Sequence, residues 1–217
     1  MQLNSRDSLL FIGDSITDCG RARPYGERAG LGDGYVNLVN SLVATCHPET
    51  PLRILNTGIG GNRVTDLAKR WTEDVLNLKP DWLSVMIGIN DVWRQFDNPL
   101  DSAPVTIDQF ETVYRELLKK TRPQLKGLVL MTPFYLETHQ ADPMRAQMDQ
   151  YGKVVQRLAQ EFDAIYVDIQ AAFDDYMAHR PTQTLCSDRV HPNQTGHLII
   201  ARAFFNAIGG SWGGASA

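Results

Sequence analysis

Short apolar runs alternate with longer amphipathic segments along almost the whole chain. Five runs, Leu9–Gly13, Arg53–Asn56, Trp82–Gly88, Gly127–Thr132 and Ala164–Asp168, are rich in Ile, Val, Leu or Phe and bounded by Gly, Pro, Asn or Asp. Continuous apolar character over so few residues marks strands buried on both faces. Between them, helical spacing recurs at Val64, Leu67, Ala68, Trp71 and Val75, at Phe110, Val113, Tyr114, Leu117 and Leu118, and at Met148, Tyr151, Val154, Val155, Leu158 and Phe162. A last helix, from about residue 194 to 208, is apolar nearly all round. The alternation predicts an α/β fold, one parallel sheet covered by helices on both sides and joined by right-handed crossovers. One domain is expected over residues 1–209, followed by a flexible Gly/Ser-rich tail at 210–217.

In such sheets, ligands bind just beyond the carboxyl ends of the strands. Ser15 follows the first run, 58–62 the second, Asn90 and Asp91 the third, and Pro133, Phe134 and Tyr135 the fourth. The polar and glycine-rich oddities of the first half therefore share one rim.

A chain of 217 residues supports one full-sized core, and its 43% hydrophobic and 21% charged content are those of an ordinary soluble protein. A net charge of −4 with no basic stripe argues against a nucleic-acid partner. No segment approaches a membrane span, and the five-residue apolar run near the start is too short for a signal-peptide core. Cys19, Cys46 and Cys186 are odd in number and widely spaced, as reduced thiols of a cytoplasmic protein would be. A homo-oligomer is compatible with all of this.

Acyl transfer needs a nucleophile, a base, an orienter for the base, and donors for the developing oxyanion. Ser15, placed after a rigid strand with Gly13 easing the turn, is the candidate nucleophile, although Asp-Ser also caps helices and turns. Asp188 and His191 sit three apart in "SDRVHPNQTGH". A carboxylate so close can hold the imidazole Nδ1 and leave Nε2 for a serine, the alternative being an idle surface loop. His47, His139 and His179 fall on polar stretches, and His197 reads as a packed structural residue. "NTGIGGNRV" offers backbone donors, Gly61 foremost, and "IGIND" offers the Asn90 amide; a tight turn and a helix cap are the plain alternatives. The glycines do not form a dinucleotide motif, because the third glycine of G-x-G-x-x-G falls at Arg63.

"FIGDS", the glycine turn, "GIND" and "DRVHP", in that order, resemble the four blocks of the SGNH hydrolases, the GDSL esterase/lipase family. The resemblance spans essentially the whole chain. It implies Ser15 as nucleophile, His191 as base and Asp188 as the third triad member, with Gly61 and Asn90 joining the Ser15 amide as oxyanion hole. It also implies a flavodoxin-like three-layer α/β/α sandwich on a five-stranded parallel sheet, and no metal or cofactor. "LLFIGDSITDCGRARP", "KPDWLSVMIGINDVWRQFD", "MTPFYLE", "DPMRAQMDQYG" and "DRVHP" are similar to the intracellular acetyl xylan esterases, which implies a small acetylated carbohydrate as substrate. Two departures touch the pocket wall: Gly60 where relatives often carry Ser, and Ser187 where those esterases carry Trp.

Asp14, Asp91, Trp93, Arg94 and Tyr135 are the candidate substrate contacts, since aromatic rings pack on sugar faces; the plain alternative is that Trp93 faces the core and Arg94 pairs with an acid. The irregular stretch 18–34 follows the nucleophile directly and is expected over the site or in a subunit contact. An arylesterase, lysophospholipase or thioesterase would share the same blocks. A metal-dependent phosphoesterase would need a histidine after Gly-Asp, which is missing. A carbohydrate-binding module rests only on Trp71, Trp82, Trp93 and Trp212, of which Trp71 and Trp82 are better explained by packing.

Overall fold

A computed structural model describes residues 1–97 and 104–211. Its sheet has the strand order β2-β3-β1-β4-β5-β6. The strands are β1 (Ser8–Gly13), β2 (Gly26–Glu27), β3 (Arg53–Asn56), β4 (Trp82–Met86), β5 (Gly127–Met131) and β6 (Ile165–Val167). The five runs legible from the apolar pattern pair in parallel, as expected. The strand count is six rather than five, because β2 adds an antiparallel edge, Gly26 opposite Asn56 and Glu27 opposite Leu55. Two residues without an apolar run carry no periodic signal. What holds them is the open backbone edge of β3 and a two-bond ion pair, Arg53 to Glu27 at 2.9 and 3.1 Å.

Eight α-helices complete the described chain: α1 (Ser15–Asp18), α2 (Tyr35–Cys46), α3 (Val64–Trp71), α4 (Ile89–Asp97), α5 (Ile107–Thr121), α6 (Pro143–Glu161), α7 (Ile169–Met177) and α8 (Gln194–Ala207). Helices α2, α7 and α8 pack together on one face, and α3, α5 and α6 on the other, giving the α/β/α sandwich. Aromatic contacts bind sheet to helix: Phe11 meets Phe204 at 5.0 Å and Tyr35 at 5.7 Å. On the other face Phe110 lies 4.9 Å from Tyr151. The helix starts are chemically explicit. Asp142 accepts the Met144 and Arg145 N–H groups with Pro143 at the first turn, and Asn193 does the same for α8. The third run ends at Met86 instead of Gly88, and Asn90 and Asp91 fall in the first turn of α4. The chain moves from β1 outward to β3 and then returns across β1 to β4, so the topological switch point lies between β1 and β4. Of the expected tail, residues 212–217, including Trp212, lie outside the described residues.

Candidate active site

At the switch point, Gly13 closes β1. A Cβ there would run into the Met86 carbonyl oxygen and the Thr17 hydroxyl, so glycine lets the strand turn hard against β4. Asp14 caps α1 by accepting the Ile16 N–H at 3.0 Å. Ser15 follows, half-buried, with its Oγ 3.0 Å from His191 Nε2.

His191 arrives on the loop before α8. Asp188 Oδ1 accepts the Val190 and His191 N–H groups at 2.9 and 2.8 Å, folding 188–191 into a turn with Arg189 at φ 64°. Its Oδ2 lies 2.6 Å from His191 Nδ1. Burial pushes the Asp188 carboxyl up, but the His191 ring and the two backbone donors outweigh it and hold it below the usual carboxylate range. An ionised Asp188 takes the Nδ1 proton as its hydrogen bond, which leaves the Nε2 lone pair facing Ser15.

The donors lie beside this line. Gly61 adopts φ 77° on an exposed turn, a conformation suited to glycine. Among the described residues, neither its N–H nor that of Ser15 donates to any acceptor. The Gly60 N–H, by contrast, is taken by Asp18 Oδ2 at 3.1 Å. Asn90 is buried, and its Nδ2 donates to the Asn62 carbonyl at 3.1 Å, beside Gly61, with its second amide hydrogen left over. A serine activated by an oriented imidazole, with amide donors beside it, is an arrangement fitted to acyl transfer.

Residues 11–199 match the model of the GDSL-like lipase/acylhydrolase family. The chain is 52% identical over 215 residues, 98% of each partner, to an acetylxylan esterase of Geobacillus stearothermophilus. The chain belongs to the GDSL-like lipase/acylhydrolase family. The crystal structure of that organism's acetylxylan esterase Axe2 superposes with a TM-score of 0.98, at 51% identity and full coverage of both chains. LAE5, an alpha/beta hydrolase enzyme from the metagenome of Lake Arreo, superposes with a TM-score of 0.94 at 45% identity, covering 96% of this chain and 98% of its own. Catalytic mutants of Axe2 replace a serine at position 15, an aspartate and a histidine with alanine. That aspartate and histidine stand three positions apart, the spacing of Asp188 and His191.

Around the acylhydrolase site, two expected substrate contacts are corrected. Asp14 and Asp91 are 1% and 0% exposed. Asp91 turns inward to accept the Val64 N–H at 3.0 Å, as Asp14 turns to Ile16. Burial, the dominant cause, pushes both carboxyls up to about 7. They brace the backbone from behind, buried beneath the surface that Ser15 shares. Phe134 is likewise buried, its ring tilted against that of Phe173 at 4.6 Å.

Trp93 stands edge-on to the His191 ring at 5.7 Å. It borders a cleft of about 290 Å³ lined by Trp93, Phe96, Asp97, Tyr135, Asp142, Pro143 and Met144. Arg94 lies over the Trp93 ring at 4.8 Å and pairs with Asp97. Arg189 binds Glu137 at 2.7 Å and accepts the Leu136 N–H through its carbonyl at 3.0 Å, tying the His191 loop to the segment bearing Tyr135. Among the described residues, no group of three or more His, Cys, Asp or Glu side chains is placed to hold a metal ion. No described helix is long and apolar enough to cross a membrane.

The stretch 18–34 spends its polar groups on the glycine turn. Arg21 donates to the Gly58 carbonyl at 2.8 Å, and Asp18 pairs with Arg23 while receiving Gly60. Asn56, buried, bridges the Thr17 and Leu31 carbonyls and accepts the Gly58 N–H. Arg70, which no motif singled out, reaches the same turn from α3. A Cβ on Gly60 would sit 3.8 Å from that of Ser15, in ordinary contact, so this glycine leaves the space over the nucleophile open.

Proposed function

We propose that this chain is a serine esterase that removes O-acetyl groups from short, acetylated xylo-oligosaccharides. The carrying observation is the unbroken line from Ser15 Oγ through His191 to Asp188, 3.0 and 2.6 Å. Ser15 attacks the acetyl carbonyl while His191 Nε2 takes its proton, and Asp188 stabilises the resulting imidazolium. The tetrahedral oxyanion lies among the Ser15 N–H, the Gly61 N–H and the Asn90 amide. His191 returns the proton to the departing sugar oxygen. Water then attacks the acetyl-enzyme by the same route, releasing acetate and restoring Ser15.

The sugar preference draws on the cleft beside His191, where Trp93 and Tyr135 offer aromatic faces and Asp97 and Asp142 offer acceptors for hydroxyls. The acetylxylan esterases among the relatives favour the same substrate class. The free thiols of Cys19, Cys46 and Cys186 fit a reducing, cytoplasmic setting. The test is acetate release from acetylated xylo-oligosaccharides against a panel of p-nitrophenyl esters of increasing acyl length. Preference for acetyl esters, with the oligosaccharides among the best substrates, is expected. A kcat/KM that climbs with acyl length would reassign the enzyme to lipid or thioester substrates.

A further inference from the structure

Arg70 sits on the last turn of α3, yet its guanidinium is turned back under the glycine turn, with the side chain 13% exposed. Nη2 donates to the Gly13 carbonyl at 3.0 Å, Nη1 to the Thr57 carbonyl at 2.6 Å, and Nε to Asn62 Oδ1 at 2.7 Å. Asp74, four residues on, supplies the counter-charge.

The acceptors define what the arginine does. The Gly13 carbonyl ends β1 two residues before Ser15, and it also receives the Ile59 N–H at 3.1 Å. Thr57 and Asn62 bracket the turn that carries Gly61. The carbonyl of Asn62 in turn holds the Asn90 amide. One side chain thus holds backbone carbonyls close to Ser15 and before Gly61, and reaches Asn90 at one remove, through Asn62. We propose that Arg70 is the positioning residue of the oxyanion hole, setting the Ser15, Gly61 and Asn90 donors in one constellation while touching neither substrate nor acyl carbon. This rests on the hydrolase reading above. An arginine suits the task because its planar fork holds several N–H directions fixed at once, whereas lysine offers a single nitrogen. Its charge also works on Asp14, whose carboxyl it pulls down against the larger effect of burial.

Displacing such donors by about 1 Å is expected to cost about 10²-fold in rate, because they bind the transition state more strongly than the ester. The experiment measures kcat and KM on p-nitrophenyl acetate, with thermal melts, for wild type, Arg70→Met, Arg70→Lys and Ser15→Ala. Folded Arg70→Met is expected to lose about 100-fold in kcat with KM within about threefold, and Arg70→Lys to recover part of that loss. A folded Arg70→Met with wild-type kcat, or a loss carried by KM alone, overturns the proposal. If Arg70→Met does not fold, Asn62→Ala decides: it removes the Nε acceptor and keeps the carbonyl that holds Asn90. A drop of about fivefold in kcat supports the role, and unchanged kcat refutes it. An inert Ser15→Ala beside unaffected Arg70 and Asn62 variants sinks only this proposal. A fully active Ser15→Ala removes the hydrolase reading and this proposal with it.

Discussion

Two histidines approach two nucleophilic side chains within a few residues of each other, and only one pair is built for chemistry. His191 Nε2 lies 3.0 Å from Ser15 Oγ, and His197 Nε2 lies 3.2 Å from Cys19 Sγ. The distances are nearly equal; the difference is on the far side of each ring. Nδ1 of His191 meets the Asp188 carboxylate, so it carries the proton and Nε2 is left as a base. Nδ1 of His197 accepts the Tyr35 N–H at 3.2 Å, so Nε2 must carry the proton and points a donor at the thiol. Burial then pushes His197 down to about 4, and burial together with Asp18 and Asp33 pushes the Cys19 thiol up to about 11. A nucleophile beside a histidine is therefore not a catalytic pair by proximity alone; the partner of the other nitrogen decides.

The strongest challenge to that contrast alters the far-side partner of one ring and removes the other ring. Asp188→Asn keeps the shape but offers His191 the wrong tautomer, and kcat on p-nitrophenyl acetate is expected to fall by about 10⁴. His197→Gln, in a folded protein, is expected to stay within about threefold of wild type, since nothing in the line from Ser15 to Asp188 depends on it. Equal losses in both variants would erase the distinction. Next in size is Asn90→Ala, which removes one of the proposed oxyanion donors and is expected to lower kcat by about 10²–10³ with little change in KM. A loss expressed in KM instead would move Asn90 from the oxyanion to ground-state binding.

The sequence carried this contrast unevenly. Ser15, Asp188 and His191 were legible because strand-end placement and a three-residue spacing are local signals, and His197 was rightly read as packed. Asp14 and Asp91 were misplaced because polar residues next to a strand-end site read as rim. Asp14, in the turn before α1, and Asp91, in the first turn of α4, instead each point inward to a backbone N–H. Arg70 gave no signal, since an arginine on an amphipathic helix reads as solvated and its acceptors are carbonyls 13 and 57 residues away in sequence. The first turn of α4 was hidden by an apolar run that continues past the end of β4. The parallel pairing of the five runs followed from the strand–helix alternation, whereas the two-residue antiparallel β2 did not.

A smaller effect separates the regions by pH. His197 is lowered from 6.5 to about 4, so between those values the unfolded chain binds the extra proton. The stability that His197 contributes is complete above about 6.5 and is lost as pH falls through about 4. Asp14 and Asp91, raised from 3.8 to about 7, have the opposite sign. There the folded chain keeps protons the unfolded chain releases, so their contribution is complete below about 4 and is lost as pH rises through about 7. Urea midpoints from pH 4.5 to 8 measure both. His197→Gln is expected to flatten the acid limb by on the order of 2 kcal/mol, and Asp91→Asn to flatten the decline toward pH 7 by a similar amount. An unchanged acid limb in His197→Gln would mean that the buried imidazole is not held neutral.

The smallest expected effect lies at Cys19 itself. It caps α1 in a left-handed conformation, φ 39°, one turn beyond Ser15, and it packs under Gly34. If proximity to an imidazole were enough, this thiol would be a second nucleophile, reactive and needed. A thiol held at about 11 instead of its ordinary 9.0 exposes about 100-fold less thiolate at pH 8. Iodoacetamide labelling of the folded protein, followed by peptide mass spectrometry, should therefore modify Cys19 about 100-fold more slowly than an unhindered peptide thiol. Cys19→Ala should leave kcat within about twofold of wild type. Fast labelling at Cys19, or a dead Cys19→Ala in a folded protein, would place a thiolate beside His197. That requires an imidazole able to accept the thiol's proton, and the Tyr35 N–H on Nδ1 is what denies it that role.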